Sequence, residues 1–298
     1  MGRGSLTLWV DRQALGGWRN HKKTGRRGAS YTYTASAILC ALSLQSVYHL
    51  PLRATEGMLL SLFKLLRSKL PVPDYSTLCR RRQRLEVALP HYSHNQRLHL
   101  VVDATGFKVF GEGEWKVKQH GWSKHRTWRK LHLGIDEASG EIVAAVASSP
   151  QVHDKEALPE LLQQVAEPLA QVSADGNYDY ISCYEVLQKT GARATIAPRR
   201  NARIWGNGQV NERDTNLRRI QELQGRKRKD TEWGRKQWKK ESGYHRRSLV
   251  ETGVFRLKTI FGEKLSARSE EAQDVELLLR CAVLNQMTSL GMPDSYAL

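Results

Sequence analysis

Apolar positions recur along the chain with two different periods, and the change from one to the other divides it. Leu59, Leu62, Phe63 and Leu66 fall at i, i+3, i+4 and i+7, one stripe of a helix. That helix stops before Pro71, Val72 and Pro73, which cannot continue it. Asp74 or Ser76 supplies a cap for a second helix, which runs into Arg80, Arg81, Arg82 and Arg84. Two helices joined by a short turn, the second strongly basic, make a helix-turn-helix-like pattern suited to DNA. A helical hairpin with a solvated arginine face would leave the same pattern. From residue 98 the period shortens. Residues 98–103 form a short β-branched run closed by Asp103, and residues 130–136 alternate like a half-buried strand. The turn at 137–140 joins the latter to the apolar run 142–147 as a hairpin. Residues 154–166 read as a helix with Leu158, Leu161, Leu162 and Val165 on one side. A strand at 170–175 closes on Asp175, and a helix at 180–188 and a strand at 192–197 follow. Strand, hairpin, helix, strand, helix, strand describes an α/β domain with a mixed sheet.

Between 198 and 243 the pattern stops. The stretch holds 14 Lys and Arg, interleaves Trp205, Trp233 and Trp238, and has too few apolar residues for its own core. It reads as an insertion on the α/β domain. Cations for phosphates and rings for bases suit DNA; a solvated excursion whose tryptophans dock on the domain is the alternative.

Composition narrows the partner. The 298 residues carry 47 Lys and Arg against 30 Asp and Glu, a net charge of +17. Residues 1–98 hold +12 and 175–243 hold +7, while 99–174 hold −2 and 244–298 balance. A protein that merely coats nucleic acid needs no acidic centre, whereas one that also holds metal ions does. The basic run between Arg19 and Arg27 looks like an arm that tracks phosphates. The longest charge-free run that leans apolar, 35–50, has 16 residues and contains Ser, Gln, Tyr and His, short of the roughly 20 predominantly apolar residues a membrane helix needs. No secretory pattern opens the chain. Four cysteines without a C-x-x-C pair argue against a disulfide framework and a structural zinc. No G-x-x-x-x-G-K-[ST] loop implies ATP. A soluble intracellular protein with a polyanionic partner is the expectation.

The segment that carries the chemistry begins at Tyr244. At 100° per residue, Tyr244, Arg247, Glu251 and Lys258 fall within about 60° of one another around a helix. Leu249, Val250, Val254, Leu257, Ile260 and Phe261 spread over the other side. A carboxylate flanked by a phenol, a guanidinium and an ammonium suits an acid that binds metal while its neighbours grip phosphates; an exposed amphipathic helix with ion pairs has the same pattern. Asp103 and Asp175, each closing an apolar run, strengthen the first reading. Three carboxylates from two strands and a helix suit two divalent cations about 3.5–4 Å apart.

These residues resemble the DDE transposases of bacterial insertion sequences, of the insertion-sequence family five type. Tyr244, Arg247, Glu251 and Lys258 match that family's Y-x2-R-x3-E-x6-K signature. Residues 102–109 and 174–179 match around the two aspartates, as do 111–117 and 128–133. The resemblance covers nearly the whole chain. It implies a ribonuclease-H-like mixed sheet flanked by helices (98–290, with insertion 198–243), a helical DNA-binding region (1–97) and a tail (291–298). Asp103, Asp175 and Glu251 become the catalytic metal ligands. Tyr244, Arg247 and Lys258 become DNA contacts beside Arg80, Arg81, Arg82 and Arg84. The implied cofactor is Mg²⁺, with Mn²⁺ as a substitute and two ions in the site. The implied partners are DNA, as inverted-repeat ends and target, and a second copy of the chain on that DNA, in the bacterial cytoplasm. Relatives carry residues ahead of the segment like 4–9, so the resemblance implies an amino-terminal region that begins earlier. A structure-selective nuclease of the same fold, and a DNA-binding regulator descended from a transposase, are the competing functions. Glu112, Glu114, Asp136, Asp154 and Asp179 are the competing carboxylates. His132 and His153 are expected near the site, chiefly in structural roles.

Overall fold

The computed structural model describes residues 15–21, 31–89, 97–109, 128–205, 212–225 and 232–291. The basic arm beyond residue 21, the 111–117 match with Glu112 and Glu114, and the tail after 291 lie outside the described residues. The chain divides into two compact units, residues 1–87 with 269–275, and residues 88–268 with 276–298.

The first unit is helical: α1 (Ala35–Val47), α2 (Leu52–Leu65) and α3 (Tyr75–Arg82). Thr34 caps α1 by accepting from the Ala37 amide, and Asp74 caps α3 by accepting from the Thr77 amide at 2.9 Å. Hydrogen bonds from Ser76 and Thr77 hold the Asp74 carboxyl at about 2, well below its ordinary value. Helix α2 ends at Leu65, so Leu66 is exposed, and the buried stripe is Thr55, Leu59 and Phe63. Trp18 meets Phe63 edge-on at 5.0 Å and donates to the Pro71 carbonyl at 2.7 Å.

The second unit is a mixed sheet. Its strands are β1 (Leu98–Val109), β2 (Trp128–Asp136), β3 (Ile142–Ser148), β4 (Leu169–Ala174), β5 (Arg193–Ile196) and the short β6 (Lys264–Leu265). The order is β3-β2-β1-β4-β5, with β6 beside β1. The β1–β2–β3 meander is antiparallel, while β1–β4 and β4–β5 are parallel. Parallel neighbours need a helical crossover. Helix α4 (Asp154–Gln164) supplies it from β3 to β4, and α5 (Ile181–Thr190) from β4 to β5. This is the mixed α/β sheet flanked by helices that the residue pattern implied. One face buries Leu98, Leu100 and Val102 against Leu158, Leu161 and Leu162 of α4 and Leu187 of α5.

Helices α6 (Glu212–Gly225) and α7 (Trp233–Glu241) form a hairpin in the inserted stretch, and α8 (Ser248–Phe261) and the part of α9 (Glu270–Ser289) from residue 276 onward complete the unit. Trp238 lies in a small core with Ala197, Ile220, Leu223 and Tyr244. Trp205 packs edge-on against Tyr184 at 5.5 Å. Docking on the protein, and not base stacking, occupies these two rings, because each finds an apolar partner within the unit. Asn285 of α9 bonds both the amide and the carbonyl of Ile142, which satisfies part of the β3 edge. Among the described residues no single helix is long and apolar enough to cross a membrane.

Candidate active site

Three elements deliver the site. Asp103 lies in the middle of β1, not at its end as the residue pattern suggested. Strand β1 runs on to Val109 because its ladder with β2 continues as far as Lys108 opposite Trp128, and backbone pairing asks little of the polar side chains there. Asp175 does follow the last residue of β4. Val101 pairs with Ser173 across these parallel strands, so Asp103 and Asp175 each stand two residues further along, on strands about 4.8 Å apart. Asp175 caps a 3-10 turn at Gly176–Tyr178, accepting from the Asn177 amide at 2.8 Å and its side-chain amide at 3.1 Å.

The third element is α8, and it differs from the single helix expected. Tyr244–Arg247 forms a 3-10 turn, opened by Gly243 in the left-handed region at φ 71°, and the α-helix starts only at Ser248. Helical spacing cannot distinguish the two forms over one turn. Helix α8 approaches the sheet closely at Gly253, where a Cβ would come within 2.5 Å of Ile135 Cδ1. Glu251, two residues earlier, lies about 200° round the helix from that contact and is 60% exposed.

Arg247 joins the elements. One guanidinium nitrogen donates to Asp103 Oδ2 at 3.2 Å and another to Glu251 Oε1 at 2.7 Å. Asp103 Oδ1 accepts from the Ala104 amide at 2.8 Å. Burial pushes the Asp103 carboxyl up, and the charges of Asp175 and Asp154 add to that; the Ala104 amide and Arg247 offset it only in part. The sheet edge here is short of positive charge.

The other expected residues divide. Lys258 lies over the Phe107 ring at 5.7 Å, on the face of β1 that carries Asp103. Tyr244 is only 8% exposed; burial raises its hydroxyl, and Arg247 stands over its ring at 5.9 Å. Its ring packs in the Trp238 cluster. Arg82 is buried and donates to Gln45 at 3.2 Å. Arg81 donates to the Tyr33 carbonyl at 2.9 Å and stacks on Tyr31. Arg80 and Arg84 are exposed. These four belong to the helical unit and not to the site described here.

Asp154, one of the competing carboxylates, heads α4, 2.5 Å from Lys130 Nζ and 3.6 Å from His132 Nδ1. His132 is fully buried, bonded to Ser148 Oγ at 2.9 Å and lowered by burial to about 4, so its ring is neutral near pH 7. Lys130 and His132 alternate on β2, which placed them on one face; their meeting with Asp154 depends on tertiary packing. Asp179 closes on Arg213 at 2.6 Å. Asp136 turns inward on its own hairpin, accepting from Ser139 Oγ at 2.8 Å. Beside Asp179, Arg199 stacks on Tyr180 at 4.3 Å and Arg213 on Trp205 at 3.9 Å, lining a cleft of about 660 Å³.

Among the described residues no three His, Cys, Asp or Glu side chains stand close enough to hold one metal ion together. The donor chemistry at the sheet edge nevertheless fits a hard divalent cation, since carboxylate oxygens are its preferred ligands. Asp103, desolvated and under-compensated, is the donor with most to gain from one.

A family model described as a transposase DDE domain matches residues 94–286, and a second with the same description matches residues 1–112. Among solved structures the chain is similar to a piggyBac transposase synaptic complex with hairpin DNA, at 11% identity and a TM-score of 0.40, over 92% of this chain and 71% of that one. That likeness is too distant to bear on chemistry.

Proposed function

The chain belongs to the DDE transposases, and from that membership we propose that it binds the inverted-repeat ends of a mobile element, cuts them and joins them to target DNA at the sheet edge formed by Asp103, Asp175 and Glu251. The family implies a DNA-acting polynucleotidyl transferase dependent on divalent metal. Asp103, Asp175 and Glu251 would hold Mg²⁺, or Mn²⁺ in its place, as a pair of ions that neutralise charge on the attacking and leaving oxygens. The observation that carries this reading is the meeting of Asp103 and Glu251 on one guanidinium, with Asp175 on the neighbouring strand at matching register.

The chain's own residues have definable parts in that reaction. Arg247 and Lys258 supply fixed cations beside the acids, where a phosphodiester must be gripped. Tyr244 backs Arg247, and Arg80 and Arg84 present exposed charge for end binding. Lys130 and Arg246, paired with Asp154 at 2.5 Å and Glu137 at 2.9 Å, extend the basic rim. Two ends must be handled together, so the active form is a dimer on DNA.

A strand-transfer assay tests the reading. Pre-cleaved duplex ends incubated with the protein, Mg²⁺ and supercoiled plasmid are expected to yield joined products. Cleavage of uncut ends with no joined product favours the structure-selective nuclease, and neither activity favours the DNA-binding regulator.

A further inference from the structure

Arg247 holds two carboxylates that repel each other, and it is the group a phosphate would also seek. Its fork gives one nitrogen to Asp103 and another to Glu251, so a single positive charge is divided between two negative ones. A guanidinium stays charged at every accessible pH. It therefore cannot make room for a second cation by losing its proton; it has to move. The surroundings permit movement. Arg247 closes the 3-10 turn Tyr244–Arg247 and is the N-cap of α8, so the movement asked for is that of its side chain alone. Its Glu251 end is open, with 60% of that side chain exposed. Tyr244 offers a ring to rest against.

We propose that Arg247 is a switch shared between the carboxylates and the phosphates of DNA: when a phosphate captures its guanidinium, Asp103 and Glu251 are released to a divalent cation, so that DNA and metal bind cooperatively. This rests on the metal reading given above and adds to it an order of assembly. The guanidinium prevents the acids from binding cations until an end is engaged. Coupling of this kind is reciprocal, so an oxyanion on Arg247 tightens the metal site and metal tightens anion binding.

The test is Mn²⁺ binding by the full chain, followed by loss of the free Mn²⁺ signal in electron paramagnetic resonance. It is run with Mn²⁺ alone and with sodium sulfate as oxyanion probe at constant ionic strength. Arg247→Gln is expected to bind Mn²⁺ about tenfold more tightly than the wild type. Sulfate is expected to tighten wild-type binding and to leave Arg247→Gln unchanged. Equal or weaker Mn²⁺ binding by the variant, or an equal response to sulfate, overturns the switch. Arg247→Lys covers the case in which the glutamine variant does not fold: an ammonium reaches only one carboxylate, so binding tighter than wild type supports the switch and binding at or below wild type overturns it. Asp103→Asn, measured alongside, separates the two claims. If it loses Mn²⁺ while Arg247→Gln gains none, the switch fails and the metal reading stands. If it binds Mn²⁺ as the wild type does, the metal reading itself fails.

Discussion

Arg213 and Arg247 each bind an aspartate at the edge of the same sheet, yet their surroundings differ at nearly every point. Arg213 is sealed: its side chain is 5% exposed and that of Asp179 1%. Two nitrogens meet Asp179, a third meets the Arg203 carbonyl and Asp214, and the guanidinium stacks on Trp205. Arg247 also serves two acids, but one of them, Glu251, is 60% exposed, and the other, Asp103, keeps a raised carboxyl. A buried pair with every hydrogen bond met is costly to break and has little freedom to react. Acids left short of positive charge keep an appetite for another cation. The first arrangement fixes the insertion to the sheet; the second leaves the acids available for chemistry.

The contrast can be broken in order of size. Arg213→Ala strands Asp179 without its partner and is expected to cost about 3–5 kcal/mol, seen as a large fall in melting temperature. If stability barely changes, the sealed pair is not structural. Gly253→Ala forces a methyl into Ile135 and is expected to cost about 1–3 kcal/mol, with impaired cleavage because Glu251 rides on the displaced helix. Unchanged unfolding and cleavage would mean that α8 has slack. Asp103→Asn works in the opposite direction. A carboxyl raised above its unfolded value of 3.8 stabilises most when protonated, and that contribution is lost as pH rises through the folded value. The asparagine variant is therefore expected to melt above wild type near pH 7, the gain closing as pH falls towards 4. A variant that melts lower at pH 7 would show Asp103 to be fully compensated. Arg219→Ala, which breaks only exposed pairs with Glu222 and Glu241, is expected to leave the melting temperature unchanged.

Period and punctuation made much of the architecture legible: the succession of strands, both crossover helices and the place of Asp175 follow from alternation and from turn residues, while the order of strands in the sheet does not. What local patterns missed is what tertiary neighbours decide. Asp103 falls inside β1 because β2 extends the ladder past it. Arg82 carries the same side chain as Arg80, and only Gln45, 37 residues earlier, makes it internal. For Trp205 and Trp238 base stacking and docking stayed open, because nothing local announces Tyr184 or Tyr244 as their partners. The acids of the site were visible individually. That one guanidinium would bridge two of them was not, since a 3-10 turn and a helix share the spacing that brings Arg247 to Glu251. His132 and Asp154 met across the sheet face for the same reason.

The central claim is that the under-compensated acids do the cutting. Asp103→Asn, Asp175→Asn and Glu251→Gln are compared with wild type on duplexes carrying the element's own ends, with Mg²⁺-dependent strand cleavage and gel-shift binding measured on the same preparations. All three variants are expected to bind the ends as wild type does while cleavage falls by about a thousandfold or more. Wild-type cleavage by any one of them contradicts the account.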